Sequence, residues 1–388
     1  MSAVLPVYRR SSLEIVRGEG VYLFAADSAR YLDFASGIAV NSLGHCHPHV
    51  VAALKSQADT LWHCSNMYRT PGLERLAERL TAASFADKVF FCNSGGEAVE
   101  CGLKMIRKYQ DMIGKAGRYR VITMTGGFHG RTLACISAGG NEIARMGYDP
   151  LVDGFDCAEF NNISDVEQKI MPQTAAILVE PIQGEGGVRV ASHELLQGLR
   201  ALADKHGLLL MVDEVQCGMG RTGALFAHEQ YGVKPDIVSV AKGIGNGFPL
   251  AACLAVDKVA TCMSPGTHGS TYGGNPLAMA VGNAVLDVLL AEGFLERVAH
   301  VGALLKEGLY ELTARYPKLL AEVRGTGLML GLRPAVPHIA LVDRLRARGL
   351  LTAPAEDNVI RIMPPLVIEE EHVTEAISII SSVCEAGE

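Results

Sequence analysis

The sequence predicts an α/β protein with a large, mostly parallel, doubly wound sheet and a smaller α+β domain. Short, almost wholly apolar runs of residues recur through the first two thirds of the chain, as expected for strands buried on both faces of a parallel sheet. Helical patterns stand between these runs, and the alternation is typical of a doubly wound sheet. The 388 residues also exceed what one simple core accommodates, which favours two domains. The apolar runs are 88–92, 120–124, 175–179, 208–213 and 236–241.

The two ends of the chain are predicted to form the smaller domain. Alternating patterns at 14–24 and 30–34 predict a hairpin near the N-terminus. The last third combines helical patterns at 277–290, 295–316 and 339–348 with strand-like runs at 322–332 and 358–366, before a terminal amphipathic helix. We therefore divide the chain into an N-terminal segment of the small domain (1–49), a large domain (50–285) and a C-terminal small α+β domain (286–388).

Composition argues against several classes of protein. The net charge of −7 gives no electrostatic basis for binding nucleic acid or an anionic membrane. The sequence has no run of about eighteen apolar residues that would predict a membrane span, and Met1–Arg10 lacks the apolar core of a signal peptide. The 10 cysteines are scattered without a Cys-x-x-Cys pair, which favours free thiols. We therefore expect a cytoplasmic protein.

Two of the apolar runs end in a single charged residue. Lys242 follows 236–241 and is followed at once by glycines, and Asp213 ends 208–213. The carboxyl ends of parallel strands meet at one edge of an open sheet, where ligands bind. Alone, such a lysine is ordinarily a surface charge and such an aspartate an N-cap. Together they suit pyridoxal phosphate, because the lysine forms a Schiff base with the aldehyde and the aspartate keeps the ring nitrogen protonated.

A predicted anion site follows the run 88–92. Asn93-Ser94-Gly95-Gly96-Glu97 breaks that strand, and a helical pattern begins at Ala98. Free backbone N–H groups and the positive end of the helix dipole meet at such a helix start, and glycines allow close approach. Many Gly-rich turns bind no ligand, so this motif alone is weak evidence for an anion site, and Lys242 and Asp213 strengthen it. With them, it predicts a phosphate site.

Three further side chains are candidates for ligand contact. Phe128 lies among glycines after the run 120–124, where an aromatic ring can stack on a planar ligand. Arg131 can bind a carboxylate through two parallel hydrogen bonds. A core phenylalanine and a surface arginine are the alternative for these two. Arg361 stands inside the apolar run 358–366, and a charge in such a strand needs an anionic substrate or an acidic side chain as partner.

Neither a metal site nor a dinucleotide site is predicted. His45-Cys-His-Pro-His49 is one cluster without a second, which fits a loop capping the next helix better than a zinc site. Gly243–Gly247 is rich in glycine but lacks the spacing of a dinucleotide fingerprint and the acidic residue that follows it. An NAD-binding dehydrogenase is therefore disfavoured.

Together these motifs resemble the class III aminotransferases, which are pyridoxal-phosphate enzymes of fold type I. The resemblance covers nearly the whole chain, from Gly37-Ile-Ala-Val-Asn41 to the segment 358–366. It implies that the domain 50–285 binds the cofactor, with Lys242 as the Schiff-base lysine and Asp213 as the partner of the ring nitrogen. It also implies that several other residues contact the cofactor: Ser94, Gly95 and Gly96 at the phosphate, Phe128 on the ring, Val215, and Gln216 near the hydroxyl.

The resemblance further implies a homodimer with active sites at its interface, because Thr271 would reach the phosphate bound by the neighbouring subunit. Arg131 and Ser270 would contact substrate. Arg361 would bind the α-carboxylate of glutamate, and Glu185 would cover Arg361 while the other substrate is bound.

The sequence departs from the family pattern at three positions. Gly96 replaces the usual alanine, which keeps the N–H group of the phosphate site. Cys217 replaces the usual threonine, with no obvious catalytic consequence. Ala355 stands where glycine is frequent, so we expect the loop before Arg361 to differ in shape.

Within the class, the sequence is most similar to the acetylornithine aminotransferases of arginine biosynthesis. This similarity implies transfer of the distal amino group of N2-acetyl-L-ornithine to 2-oxoglutarate, giving N-acetyl-L-glutamate 5-semialdehyde and L-glutamate. Succinylornithine, ornithine and 4-aminobutyrate aminotransferases are the alternatives, because the sequence does not show which residues line the pocket for the acyl group. A non-catalytic pyridoxal-phosphate-binding regulator is the alternative from another class, and the presence of Lys242, Asp213, Arg131 and Arg361 argues against it.

Overall fold

The computed structural model describes residues 3–386. The first two residues of Met1–Arg10, for which we expect no signal peptide, lie outside the described part, as do the last two residues of the predicted segment 286–388. The strands are β1 (Ile15–Glu19), β2 (Tyr22–Ala25), β3 (Arg30–Asp33), β4 (Lys88–Cys92), β5 (Arg120–Met124), β6 (Phe155–Ala158), β7 (Thr174–Val179), β8 (Ile182–Gln183), β9 (Arg189–Val190), β10 (Leu209–Asp213), β11 (Ile237–Val240), β12 (Ala251–Ala255), β13 (Leu320–Thr326), β14 (Met329–Pro334), β15 (Leu350–Leu351), β16 (Ala353–Pro354) and β17 (Ile360–Ile362).

The helices are α1 (Ser36–Ala39), α2 (Pro48–Ala58), α3 (Pro71–Ala82), α4 (Gly95–Met112), α5 (Leu133–Ala138), α6 (Glu142–Arg145), α7 (Ile163–Gln168), α8 (His193–His206), α9 (Asp257–Ala260), α10 (Pro276–Leu289), α11 (Phe294–Arg315), α12 (His338–Ala347) and α13 (Glu370–Glu385). Two short 3₁₀ helices span Ala227–Tyr231 and Lys242–Ile244. The first helix, α1, is irregular, because Gly37 and Ile38 have left-handed backbone angles with φ of 67° and 64°.

A seven-stranded sheet forms the centre of the fold, in the order β4-β12-β11-β10-β7-β5-β6. Neighbouring strands are parallel except that β12 runs antiparallel to both β11 and β4. Every residue of β7, β10, β11 and β12 is buried, as expected when helices cover both faces of a sheet. The predicted α/β fold with a large, mostly parallel sheet is confirmed.

The direction of the strands brings the loops that follow β4, β5, β7, β10 and β11 to one edge of this sheet. β4 and β11 point the same way because both are antiparallel to β12, and β5, β7 and β10 run parallel to β11 through the sheet. The residues that follow these five strands therefore leave the sheet at the same edge. This is the edge at which ligands bind in open α/β sheets.

Two four-stranded sheets contain the segments from the two ends of the chain, in the orders β1-β2-β3-β15 and β13-β14-β17-β16. β15 pairs in parallel with β3, so the N- and C-terminal segments share a sheet. The single strand predicted at 14–24 is in fact the hairpin of β1 and β2, because Gly20 turns the chain with a φ of 56°. The run predicted at 322–332 is likewise the hairpin of β13 and β14.

The predicted division at 49/50 and 285/286 remains a prediction. Helix α10 continues from Pro276 to Leu289 and so crosses the second of these boundaries. Within residues 3–386, no single helix is both long and apolar enough to cross a membrane. Only α10 and α11 taken as a pair, bent by 71°, reach that length and composition.

Candidate active site

Loops at the carboxyl edge of the central sheet line one cavity of about 590 Å³. The loops after β4, β5, β10 and β11 each contribute to its wall, and Val40 and the segment 247–250 complete it. The cavity brings together most of the residues that the sequence predicts for the site, namely Ser94, Gly95, Gly96, Phe128, Arg131, Asp213, Val215 and Lys242.

Lys242 stands two residues beyond the end of β11 and begins a 3₁₀ turn with a left-handed φ of 48°. Burial lowers the pKa of its ammonium group to about 8, and the positive charge of Arg361 adds to this effect, while the charges of Asp213, Glu180 and Glu185 oppose it. A much larger fraction of this amine is therefore neutral near pH 7 than for an ordinary lysine, as a nucleophile or general base requires.

Asp213 is the last residue of β10 and is almost fully buried, with 3% of its surface exposed. Its Oδ2 lies 2.8 Å from Nδ1 of His129, and its Oδ1 accepts a hydrogen bond from the Val215 N–H at 3.0 Å. Since a carboxylate only accepts hydrogen bonds, Nδ1 of His129 carries the proton. These two donors fix the orientation of the carboxylate on the cavity wall.

Sequence reasoning missed two buried residues beside Asp213, which are His129 and Glu180. Oε2 of Glu180 accepts a hydrogen bond from the Phe128 N–H at 2.9 Å. Burial raises the pKa of Glu180 to about 8; the charge of His129 opposes this rise and that of Asp213 adds to it. Glu180 directly follows the buried strand β7, so the strand-end argument that singled out Asp213 and Lys242 could have found it as well.

The turn after β4 forms the start of helix α4. Ser94 is the N-cap, and its Oγ accepts a hydrogen bond from the Glu97 N–H at 3.3 Å. The N–H groups of the following glycines have no acceptor within the helix and are free for an anion. A Cβ on Gly95 would lie 2.8 Å from Cγ1 of Val215, so only glycine fits there.

Arg361 and Glu185 form an ion pair beside this cavity, with 2.9 Å between Nη1 and Oε2. Arg361 is buried, and its Nη2 donates to the carbonyl of Pro354 at 2.7 Å. Burial lowers the pKa of Arg361, and Glu185 opposes that effect. The charges of both residues act on the pKa of Lys242, which Arg361 lowers and Glu185 raises.

Within residues 3–386, the other predicted residues, Gln216, Ser270 and Thr271, do not line the cavity. Oε1 of Gln216 is buried without a hydrogen-bond partner among the described residues, in a space that the absent side chain of Gly184 leaves open. Oγ of Ser270 accepts hydrogen bonds from Nδ2 of Asn93 at 3.2 Å and from the Gly273 N–H at 2.9 Å. Thr271 is exposed on the same loop.

Three contacts involve Arg131 and the histidines of the segment 45–49, which the sequence also singles out. The guanidinium of Arg131 lies over the Phe128 ring, 4.9 Å from its centroid. Nε2 of His45 lies 2.8 Å from Asp33, and Nε2 of His49 lies 2.8 Å from Asp287. The two histidines thus contact different aspartates, and no group of three potential metal ligands occurs within residues 3–386.

The arrangement fits pyridoxal phosphate on several independent points. The start of α4 offers free N–H groups for the phosphate, and Lys242 offers an amine for the aldehyde. Asp213 offers a buried, fixed carboxylate for the ring nitrogen. Phe128 and Val215 both line the cavity, as residues that contact the ring would.

Comparison with known proteins agrees with this chemistry. The family described as aminotransferase class III matches residues 6–384. The chain belongs to the class III aminotransferases. It is therefore an aminotransferase, and the sequence-based assignment to this family is confirmed.

Among relatives of this class III aminotransferase, the acetylornithine aminotransferase of Agrobacterium fabrum is 56% identical over 96% of the chain and 93% of the relative. In structure, the chain is similar to the ornithine aminotransferase of Toxoplasma gondii, in which PLP partly occupies the active site, with a TM-score of 0.94, 33% identity and coverage of 99% and 92%. The N-acetylornithine aminotransferase of Stenotrophomonas maltophilia matches with a TM-score of 0.86, 38% identity and coverage of 98% and 97%.

Proposed function

We propose that this aminotransferase binds pyridoxal phosphate and transfers the distal amino group of N2-acetyl-L-ornithine to 2-oxoglutarate, giving N-acetyl-L-glutamate 5-semialdehyde and L-glutamate. The observation that carries the proposal is the juxtaposition of Lys242 and Asp213 in one cavity with the free start of helix α4. The name of the 56%-identical relative supports the choice of amino donor.

Each group in the cavity has a distinct task in this reaction. The cofactor, when bound, accepts the electron pair released as a proton leaves the amine-bearing carbon. The Lys242 amine, with its pKa of about 8, is the base that takes that proton from the substrate carbon. It then delivers the proton to the carbon of the cofactor. Asp213 holds the proton on the ring nitrogen, and its fixed position makes this electrostatic stabilisation preorganised.

Two arginines account for carboxylate recognition. Arg131 is exposed at the cavity wall, where it can bind the far carboxylate of a substrate. Arg361 is paired with Glu185, so it can bind the α-carboxylate of glutamate only after Glu185 moves away. Acylation of the α-amine leaves acetylornithine with only its distal amine free to react.

A donor panel tests the proposed activity. Purified enzyme with added pyridoxal phosphate is incubated with 2-oxoglutarate and acetylornithine, succinylornithine, ornithine or 4-aminobutyrate, and the glutamate formed is measured. We expect the highest rate with acetylornithine. A higher rate with one of the other donors would replace the proposed substrate, and no glutamate from any donor would refute the proposed activity.

We infer a homodimer in which the loop of Ser270 and Thr271 serves the site of the other subunit. Thr271 is exposed and does not line the cavity of its own chain within residues 3–386. Asn66 donates hydrogen bonds to the carbonyls of Ser270 and Gly273, which places the segment 62–68 beside this loop. The surface of the two segments is markedly apolar, with Trp62 65%, Met67 81%, Tyr68 66% and Tyr272 64% exposed.

Sedimentation and subunit mixing test the dimer. We expect twice the monomer mass, and we expect Thr271→Ala to weaken binding of pyridoxal phosphate. A dimer that mixes Thr271→Ala with Lys242→Ala subunits should then have one site lacking both groups and one complete site.

Each of the 10 cysteines is a free thiol within residues 3–386, which supports the inference of a cytoplasmic location.

A further inference from the structure

His129 forms a buried polar contact with Asp213, and no motif in the sequence gives it a role. Only 3% of its surface is exposed, and its Nδ1 lies 2.8 Å from Oδ2 of Asp213, which is equally buried. Its Nε2 has no hydrogen-bond partner among the described residues. A buried imidazole with one nitrogen unsatisfied is costly, so the Nδ1 contact has to compensate for it.

Glu180 is a second buried carboxyl group near this imidazole. A Cβ on Gly127 would lie 3.2 Å from Nε2 of His129 and 3.6 Å from Oε2 of Glu180, so both atoms border the space beside this glycine. The titratable groups that interact electrostatically with this cluster are Lys242 after β11, Cys135 on α5 and Cys217 after β10. The charges of the ion pair Arg361–Glu185 act in turn on Lys242.

We propose that His129 is the positioning residue for Asp213: its Nδ1–H fixes and stabilises the ionised carboxylate that the ring nitrogen of the cofactor would meet. The proposal rests on pyridoxal phosphate being the cofactor, as proposed above. Without this donor, the Asp213 carboxylate keeps, among the described residues, only the hydrogen bond from the Val215 N–H at 3.0 Å, and it remains buried under the influence of the Glu180 charge.

The charges around His129 reinforce this arrangement. Burial alone would lower the pKa of His129, but the hydrogen bond to Asp213 and the charges of Asp213 and Glu180 outweigh burial, and the pKa is raised. In both its neutral and its charged form, Nδ1 can donate to Asp213. Removing the imidazole would leave the ionised carboxylate with a weaker set of donors and so destabilise it.

Two substitutions of His129 separate the donor from the rest of the imidazole. His129→Asn places an amide N–H close to the position of Nδ1, whereas His129→Leu removes the donor and retains similar bulk. We expect His129→Leu to weaken pyridoxal phosphate binding about tenfold or more near pH 7.5. We expect His129→Asn to stay within about threefold of the wild type.

Rescue by the conservative variant distinguishes positioning from a general structural role. His129→Asn keeps a donor for Asp213, whereas a change that acts only through packing would affect His129→Asn and His129→Leu alike. Binding is followed by the visible absorbance of the bound cofactor, and the unfolding midpoint of the cofactor-free protein is measured in parallel.

His228→Leu is the matched control. Nδ1 of His228 lies 2.7 Å from Oε1 of Glu214, both residues are buried, and neither lines the cavity within residues 3–386. We expect it to lower the unfolding midpoint but to leave affinity for pyridoxal phosphate unchanged. If His129→Leu does not fold, His129→Gln, which shifts the donor towards the position of Nε2, takes its place.

Two results would overturn the positioning role: unchanged affinity in His129→Leu, or a loss in His129→Asn as large as in His129→Leu. Failure of the proposed function gives a different result, because the wild type itself would then not bind pyridoxal phosphate.

Discussion

Nη1 of Arg361 lies 2.9 Å from Oε2 of Glu185, yet neither Nη1 nor Nε of Arg361 has an acceptor in hydrogen-bond geometry among the described residues. The pair therefore neutralises a buried cation without using its directional N–H groups. An incoming α-carboxylate can form better hydrogen bonds with the guanidinium than Glu185 does. This geometry suits a partner that has to leave in one half of a reaction and return in the other.

Replacing either Glu185 or Arg361 should change the preference of the enzyme between its two amino donors. Glu185→Ala leaves Arg361 open to α-carboxylates, so we expect the single-turnover rate with glutamate to rise about tenfold or more relative to that with acetylornithine. Arg361→Ala should reduce the glutamate half-reaction about thirtyfold or more, because truncating a buried charge partner typically costs about 2–5 kcal/mol. The acetylornithine half-reaction should fall far less.

Controls for these variants separate specificity from stability. Glu185→Gln removes the charge but keeps the size of the side chain, so it should resemble Glu185→Ala in specificity. Arg120→Ala breaks an ion pair with Asp156 at the start of β5, away from the carboxyl edge, and should change neither half-reaction. Equal losses in both half-reactions for Arg361→Ala would contradict the hypothesis that the α-carboxylate of glutamate replaces Glu185 at Arg361.

Asp213→Asn should bind the cofactor and react slowly. The neutral amide keeps the size of the carboxylate but cannot hold a proton on the ring nitrogen. Since a hydrogen bond to a charged group contributes about 1.5–3 kcal/mol, we expect the half-reactions to slow about tenfold or more. Stopped-flow absorbance measures both half-reactions, and wild-type rates in this variant would remove Asp213 from its proposed role.

The two glycines of the phosphate turn should differ in their tolerance of a methyl group. A Cβ on Gly95 would lie 2.8 Å from Cγ1 of Val215, whereas the nearest atoms to a Cβ on Gly96 are 3.9 Å away. Gly95→Ala should therefore displace Val215 or the turn and weaken binding of pyridoxal phosphate about tenfold or more, since overpacking costs about 1–3 kcal/mol. Gly96→Ala should bind normally, and an equal effect of the two changes would contradict this interpretation.

The strands that carry the site could be predicted from sequence because each is an apolar run with a polar end. Asp213 and Lys242 are visible for this reason, and the direction of parallel strands places them at one edge. Glu180 follows β7 in the same way, so its place at this edge was equally predictable. The prediction therefore found the two residues whose chemistry is distinctive and missed the carboxylate that adjusts their surroundings.

Other features depend on contacts that no local pattern encodes. The hydrogen bond between His129 and Asp213 joins residues 84 positions apart. Strand β12 lies antiparallel between β4 and β11, and no helical crossover in the sequence indicates this position. Neither β6 nor β12 stands out as a strand among the apolar runs, because β6 is short and β12 is rich in alanine. The pairing of Arg361 with Glu185 was accessible only through the resemblance to a family.

The pKa of Lys242 gives a final prediction about cofactor capture. Only the neutral amine reacts with an aldehyde, so the rate at which cofactor-free protein captures pyridoxal phosphate should rise with pH, with a midpoint near 8 rather than near the ordinary lysine value of 10.5. Arg361→Ala removes a cation that lowers this pKa, so the midpoint should move to higher pH. Glu185→Ala removes an opposing anion, and the midpoint should move to lower pH.

Borohydride reduction followed by peptide mapping then shows which lysine has reacted. We expect the adduct on Lys242, with Lys205, Lys234 and Lys258 unmodified, because those three are not in the cavity of the described chain. An adduct on one of them would disprove the assignment of Lys242. A midpoint near the ordinary lysine value, or shifts of the same sign in the Arg361 and Glu185 variants, would instead show that the charges around Lys242 do not set its reactivity.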